Sequence, residues 1–197
     1  MAFMSRFSRS RSNSRSPSRK DAEKGSPMLT VGELERLLYT GKTACNHADE
    51  VWPNLYIGDQ EIAADRRELA KLGITHILNC AQSKWRVGAE YYAGMNITYQ
   101  GIEAHDSPTF DMSVNFYPAS EFIHKALSNG GKVLVHCAVG VSRSATLVLA
   151  YLMIRQNMTL VEAIKTVKDH RGVIPNRGFL RQLNGLDGIL RSSRSGP

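Results

Sequence analysis

From residue 29 onward the apolar positions recur with two different periods. In LTVGELERLLYT, Val31, Leu34, Leu37 and Leu38 fall on one helical face. EVWPNLYIG reads as two strands interrupted at Pro53, and QEIAADRRELAKLG as one helix stopped by Gly73. The strand ITHILNCA follows, and NITYQGIEA predicts another. Asp111 to Leu127 predicts a helix that ends at the strong stop NGG. VLVH, residues 133–136, has the short unbroken apolar character of a strand at the centre of a parallel sheet. Helices are predicted over about 143–156, 159–170 and 176–191, with Thr159 as an N-cap and Pro175 interrupting the pattern near Gly172. Strands alternating with helices predict an α/β fold: a single compact domain with a central, mostly parallel sheet flanked by helices.

The pattern fails at the N-terminus. MAFMSRFSRSRSNSRSPSRK is Ser/Arg low complexity, with too little apolar surface to offset its ordering entropy. The expected organisation is a disordered tail over 1–28, a folded domain over 29–192 and a short tail over 193–197. Charge follows the same division. Of the net +7, residues 1–28 hold +5, which leaves the domain near balance and argues against a nucleic-acid surface on it. The tail itself reads as a solvated segment, with phosphorylation-controlled docking, nuclear targeting or RNA contact as sharper alternatives.

Cys45, Cys80 and Cys137 are an odd number without metal-ligand spacing, which argues for a reducing compartment and against a disulfide framework or a zinc site. The longest apolar run, ATLVLAYLMI, is too short to span a bilayer, and no apolar segment of a secretory signal follows the basic N-terminus. Cytoplasm and nucleus are the expected locations, with no membrane contact. The stripe on the 31–42 helix is expected to pack on its own domain. Pairing of two chains through it, as a homodimer, is the alternative.

The candidate chemistry lies in VLVHCAVGVSRSA. A strand ending at Cys137, a tight loop and a helix opening near Arg143 predict an anion cradle built from the amides of Ala138, Val139, Gly140, Val141 and Ser142. Gly140 supplies the backbone freedom, and Arg143 a planar fork for two phosphate oxygens. Such surroundings favour a thiolate at Cys137, poised for covalent phosphoryl transfer. The departing oxygen needs a proton. Asp106, in GIEAHDSPTFD, is the expected acid, because Asp111 is wanted as the cap of the next helix. Ser144 is placed to donate a hydrogen bond to the sulfur as it leaves. No metal or cofactor is needed. His136 is expected to be a buried, hydrogen-bonding support, and Asn176 a cap that also braces the loop. Cys80 reads as an ordinary buried cysteine, with a redox partner for Cys137 as the alternative. Cys45 beside His47 reads as structural.

His136-Cys137 through Arg143-Ser144 fits the HCxxGxxR signature, followed by Ser or Thr, of the protein tyrosine phosphatase superfamily. HCAVGVSRSATLVLAYLM resembles the version found in dual-specificity phosphatases, and residues 30–192, with HADEVWPNLYIGD, LGITHILN, GIEAHDSP and PNRGFL, resemble the small atypical members. The resemblance implies the dual-specificity phosphatase fold, with Cys137 as nucleophile, Arg143 as phosphate binder and Asp106 as general acid. It also implies phosphorylated proteins as substrates, MAP kinases being frequent targets in the family. No residue of the signature is absent. The uncharged Ala138–Val141 loop argues against a polyphosphorylated lipid and, less strongly, against an RNA 5′-triphosphatase. An adaptor that holds phosphoproteins with little turnover, and an RNA 5′-phosphatase, remain as alternatives.

Overall fold

The computed structural model describes residues 28–82 and 88–195. The expected tail therefore lies outside the described residues apart from Met28. A five-stranded sheet organises the rest: β1 (Ala48–Trp52), β2 (Leu55–Gly58), β3 (His76–Asn79), β4 (Thr98–Gly101) and β5 (Val133–His136), in the order β1-β2-β5-β3-β4. β1 and β2 form an antiparallel hairpin turned by Pro53 and Asn54, and the other three pairings are parallel. β5 sits in the middle, and all four of its residues are buried. Its alternation serves both faces. Val133 and Val135 join the large core, while Leu134 points to a smaller cluster with Ile62, Leu69, Ile77 and Tyr92.

The large core is filled by α1 (Val31–Leu38), α4 (Phe116–Ser128), α5 (Arg143–Arg155), α6 (Leu160–Lys168) and α7 (Arg177–Arg194). α5 leaves the end of β5 and is buried from Arg143 to Met153, which explains why its sequence is apolar on every side. On α1, Leu34 and Leu38 are buried, with Val31 and Leu37 packed against the same core. The stripe is thus spent inside the domain. Capping boxes start α1 at Thr30 with Glu33 and α6 at Thr159 with Glu162.

Two predicted helices differ in detail. The expected helix over QEIAADRRELAKL is two, α2 (Gln60–Ala64) and α3 (Arg66–Leu72), broken at Asp65. Asp65 leaves helical backbone and caps α3 by accepting from the Glu68 N–H at 3.0 Å, so its capping preference outweighs the continuous helical pattern. The helix expected from Asp111 begins at Phe116, after a 3-10 turn over Ser113–Asn115. Asp111 is therefore not the cap expected for this helix: it lies before the turn and accepts from the Ser113 N–H at 3.1 Å, while neither the turn nor the helix has a side-chain cap. α7 runs to Arg194, beyond the predicted end at 191. Among the described residues, no helix is long and apolar enough to cross a membrane.

Candidate active site

The 137–142 loop joins the buried end of β5 to the start of α5. Its carbonyls are held from outside. Ala138 O accepts from the Gln60 N–H at 3.1 Å and Val141 O from the Ile174 N–H at 2.8 Å. Val139 O and Gly140 O accept from Arg171, through Nη2 at 3.2 Å and Nε at 2.8 Å. A trans peptide plane sets C=O and N–H on opposite sides. Carbonyls turned outward at 138–141 therefore turn the next N–H groups inward, toward Cys137. The Gly140 N–H shows this directly, donating to Cys137 Sγ at 3.2 Å. Gly140 has a φ of +78°, and a Cβ there would stand 2.4 Å from Gly58 O, so the position requires glycine.

Arg171 is the residue that sequence reasoning missed. Its side chain is completely buried, and beyond the two loop carbonyls it donates through Nη1 to Asn46 O at 2.6 Å and to Asp49 Oδ2 at 2.8 Å. An arginine in HRGVIPN offers no periodic reason for burial, because the need for it arises only when β1, the 42–47 segment and the loop meet. The guanidinium fork suits several acceptors at once, and Asp49 supplies the compensating charge.

Cys137 is 3% exposed, and its Sγ lies 3.2 Å from Ser144 Oγ on the first turn of α5. Arg143 opens that helix. Its Nη1 donates to Ala104 O at 3.1 Å, while its buried Nε makes no hydrogen bond among the described residues. Thiol, inward amides, helix N-terminus and an arginine edge converge on one point. Such a point can bind a tetrahedral oxyanion and present sulfur to its centre. Among the described residues, no group of three or more His, Cys, Asp or Glu is arranged to hold a metal ion.

The loop carrying Asp106 joins this site through two side chains. Asp106 Oδ1 accepts from Ser142 Oγ at 2.7 Å and from Asn176 Nδ2 at 2.9 Å. Asn176 also caps α7, accepting from the Phe179 N–H at 2.9 Å, and its own N–H donates to Ser142 Oγ at 3.0 Å. Asp111 is engaged with Ser113 instead. The first turns of α7 grip the rest of the Asp106 loop. Gln182 donates to Phe110 O at 2.8 Å and accepts from the N–H groups of Met112 and Ser113 at 2.8 and 3.1 Å. A Cβ on Gly178 would lie 1.9 Å from Pro108 O, so loop and helix meet backbone to backbone. Asn176 is legible from sequence as a cap. Gln182 and Gly178 are not, since one looks like a polar helix face and the other like a weak helix former.

His136 departs from the expected hydrogen-bonding role. It is completely buried, and neither ring nitrogen has a hydrogen-bond partner among the described residues. The strand end places the ring in packed surroundings that disfavour its charged form. Burial lowers its pKa to about 4, which the Cys137 backbone and the Asp59 charge only partly offset. Cys80, also completely buried, lies one residue past β3. Burial pushes its thiol pKa well up, the nearby Cys137 adds to this, and Arg143 opposes it. Cys45 is exposed, and its thiol points to Gly172 O at 3.6 Å. His47 pairs with Asp59 at 2.6 Å and Glu61 at 3.1 Å.

Comparison with known proteins gives a consistent result. Residues 55–187 match the family model described as dual specificity phosphatase, catalytic domain. The chain is 66% identical over 196 residues to dual specificity protein phosphatase 26 of Homo sapiens, covering 97% of this chain and 93% of the relative. It is 57% identical over 165 residues to human dual specificity protein phosphatase 13B, covering 82% and 83%. Among solved structures it is similar to a mouse putative dual specificity phosphatase complexed with zinc tungstate, with a TM-score of 0.68 and 30% identity, covering 79% of this chain and 95% of that one.

Proposed function

For this chain, which belongs to the dual specificity phosphatase family and is a protein phosphatase, we propose the following division of labour among its residues. The Cys137 thiolate attacks phosphorus in line with the departing oxygen. The S–P bond forms as the P–O bond to the substrate side chain breaks. Arg143 and the inward N–H groups of the loop bind the three equatorial oxygens and take up the charge of the transition state. Asp106 gives its proton to the leaving oxygen. Oδ1 is occupied by Ser142 and Asn176, so Oδ2 is the oxygen that carries this proton. In the second step, ionised Asp106 takes a proton from water, the water oxygen attacks phosphorus and the S–P bond breaks. Ser144 Oγ, 3.2 Å from the sulfur, donates to it as it leaves.

One observation carries this reading: four consecutive loop carbonyls are tied outward around a thiol that already accepts from an inward N–H. Tungstate is a tetrahedral oxyanion, and its presence in the mouse structure supports an oxyanion in the matching cradle here. The uncharged side chains of Ala138, Val139 and Val141 favour a single phosphate on a protein over a polyphosphorylated lipid or an RNA 5′-triphosphate. Phosphorylated MAP kinases are the first substrates to test, and the cytoplasm and nucleus the proposed locations. A homodimer built on the 31–42 helix is not favoured, since Leu34 and Leu38 lie within the domain.

The test uses an aryl phosphate and phosphopeptides carrying phosphotyrosine or phosphothreonine. Cys137→Ser is expected to abolish hydrolysis while still binding phosphopeptide. Hydrolysis at the wild-type rate by that variant would remove the covalent mechanism.

A further inference from the structure

Two cavities beside the site loop have no part in the phosphoryl transfer described above, and they adjoin across His47. The first lies between Val139 of the loop, Asp59 and the 45–47 segment. The second starts at Asn46 and His47, which line both, and runs along α2 and α3 to Leu72. Together they make a groove that leaves the anion cradle at Val139, whose side chain is 63% exposed while its carbonyl is held by Arg171. Ala48, Ile62 and Leu72 give the groove apolar surface, and Glu61, Asp65 and Glu68 give it acidic walls. Asp65, Glu68 and Leu72 recur at spacings of three and four, which places them on one face of α3 and its cap. The basic residues of that helix, Arg66, Arg67 and Lys71, do not line the groove, and Arg66 turns to Ala93 O at 2.9 Å.

His47 shows what the near end of the groove holds. Its Nδ1 lies 2.6 Å from Asp59 Oδ2 and its Nε2 3.1 Å from Glu61 Oε2. A neutral imidazole carries one N–H, and an ionised carboxylate only accepts, so the two contacts together require the imidazolium. The bond to Asp59, then the charges of Asp59 and Glu61, raise the His47 pKa against the opposing effects of burial and Arg171. Arg171 itself is committed to Asp49 and the loop carbonyls. Farther along, Asp65 and Glu68 pair with no basic side chain among the described residues. The groove thus has a filled cation position next to the cradle and open carboxylates beyond it.

We propose that this groove takes an arginine-bearing segment of the phosphoprotein substrate, flanking the phosphorylated residue. The proposal rests on the reading of the Cys137 loop as the phosphate site, with which the groove is continuous. A phosphate seated in the cradle fixes the chain on either side of it, and the side that passes Val139 enters the groove. Arginine suits the lining: its aliphatic stem covers Ala48 and Leu72, and its planar fork reaches the carboxylates of Asp65 and Glu68. The acidic walls repel an acidic peptide, a nucleic acid or an anionic headgroup, so the sign of the groove selects among partners. Cradle and groove together match a chain with phosphate at one point and positive charge a few residues away.

The experiment measures hydrolysis of phosphotyrosine peptides by the full chain. The peptides differ only in carrying Arg, Ala or Glu about two to six residues from the phosphotyrosine, a reach of roughly 7–20 Å in extended chain. Each side of the phosphotyrosine forms a separate series. On one side the arginine peptide is expected to exceed the alanine peptide about fivefold or more in kcat/KM, through KM with kcat unchanged, and the glutamate peptide to fall below both. The advantage should shrink in about 0.5 M salt. In the double variant Glu61→Gln, Glu68→Gln the ratio of arginine to alanine peptide should fall toward one. That ratio is taken within each protein, so a change in the amount of folded enzyme cancels. Equal kcat/KM for arginine and alanine peptides on both sides, or an undiminished ratio in the double variant, would overturn the proposal. So would faster hydrolysis of the arginine peptide after Arg9, Arg11, Arg15 and Arg19 are replaced by Ala, which would give the groove to the chain's own N-terminal segment. Failure of the underlying reading is a separate result, seen on an aryl phosphate before any peptide is used, if Cys137→Ser hydrolyses it.

Discussion

Ser142 Oγ donates to Asp106 Oδ1 at 2.7 Å, a single bond that ties the loop carrying the thiol to the loop carrying the proposed acid. Ser142 is 4% exposed and also accepts the Asn176 N–H, so its hydroxyl has one orientation open to it and that orientation faces Asp106. Ser142→Ala leaves the cradle amides intact but leaves Asp106 with Asn176 alone. A hydrogen bond to a charged group contributes about 1.5–3 kcal/mol. We expect kcat to fall about tenfold or more on alkyl and phenyl phosphates and little on a nitrophenyl ester, whose oxygen leaves without help. The measurement is the dependence of kcat on leaving-group pKa, and an equal loss on all esters would exclude a role through the acid.

The grip of α7 on the Asp106 loop gives a second expectation of the same kind. In Gly178→Ala the new Cβ would lie 1.9 Å from Pro108 O, a backbone atom, so the loop must move away from the helix. Gln182→Leu removes three hydrogen bonds to the same loop while keeping the side chain's bulk. Both variants should steepen the leaving-group dependence, Gly178→Ala the more, while vanadate affinity changes by less than about threefold. Vanadate binding that fell in step with kcat would instead place the damage in the anion cradle.

Much of this site was legible along the chain because its parts are local. The strand VLVH, the glycine at 140 and the helix opening at Arg143 are contiguous, so one period change marks strand, loop and helix together. Asp106 is preferred in the sequence because Asp111 is expected to cap the next helix; in the structure Asp111 caps neither helix nor turn, and it is the bonds from Ser142 and Asn176 that set Asp106 beside the loop. What could not be read are the contacts between distant segments. Arg171 meets the loop across 31 residues and Asp49 across 122, and nothing in the pattern around it requires burial. The break at Asp65 was locally written, as an Asp three residues before Glu68, but a continuous helical pattern hid it. His136 shows a different limit. Its burial follows from β5, whereas the absence of a partner among the described residues follows from packing on both sides of the strand.

Arg171 tests whether the outward carbonyls matter. Lysine keeps the charge opposite Asp49 but has no fork with which to hold Val139 O and Gly140 O together. Arg171→Lys is expected to weaken vanadate binding about tenfold, equivalent to about 1.4 kcal/mol, because the peptide planes at 139 and 140 lose their outer anchor. Leaving-group dependence should stay as in the wild type, which separates this variant from the α7 variants. Because Arg171 is fully buried, a lower Tm is also expected, and Asp49→Asn provides a milder second probe of the same contact. Unchanged vanadate affinity in both variants would reduce Arg171 to a structural residue.

His136 makes stability depend on pH in a definite direction. Its pKa is about 4 in the folded chain, against about 6.5 when unfolded. Between these values the unfolded chain binds the extra proton, so unfolding free energy rises with pH through that window. The contribution, about 3 kcal/mol, is fully present above about pH 6.5 and is lost as pH falls through 4. Half-buried His76, lowered by burial, acts in the same direction, while exposed His47, raised by Asp59, acts in the opposite one. His136→Gln should therefore flatten the fall in Tm between pH 6.5 and 4 relative to wild type, with carboxylate titrations common to both chains. Parallel Tm profiles for the two proteins would show that His136 is protonated within the fold and that packing around the ring tolerates the charge.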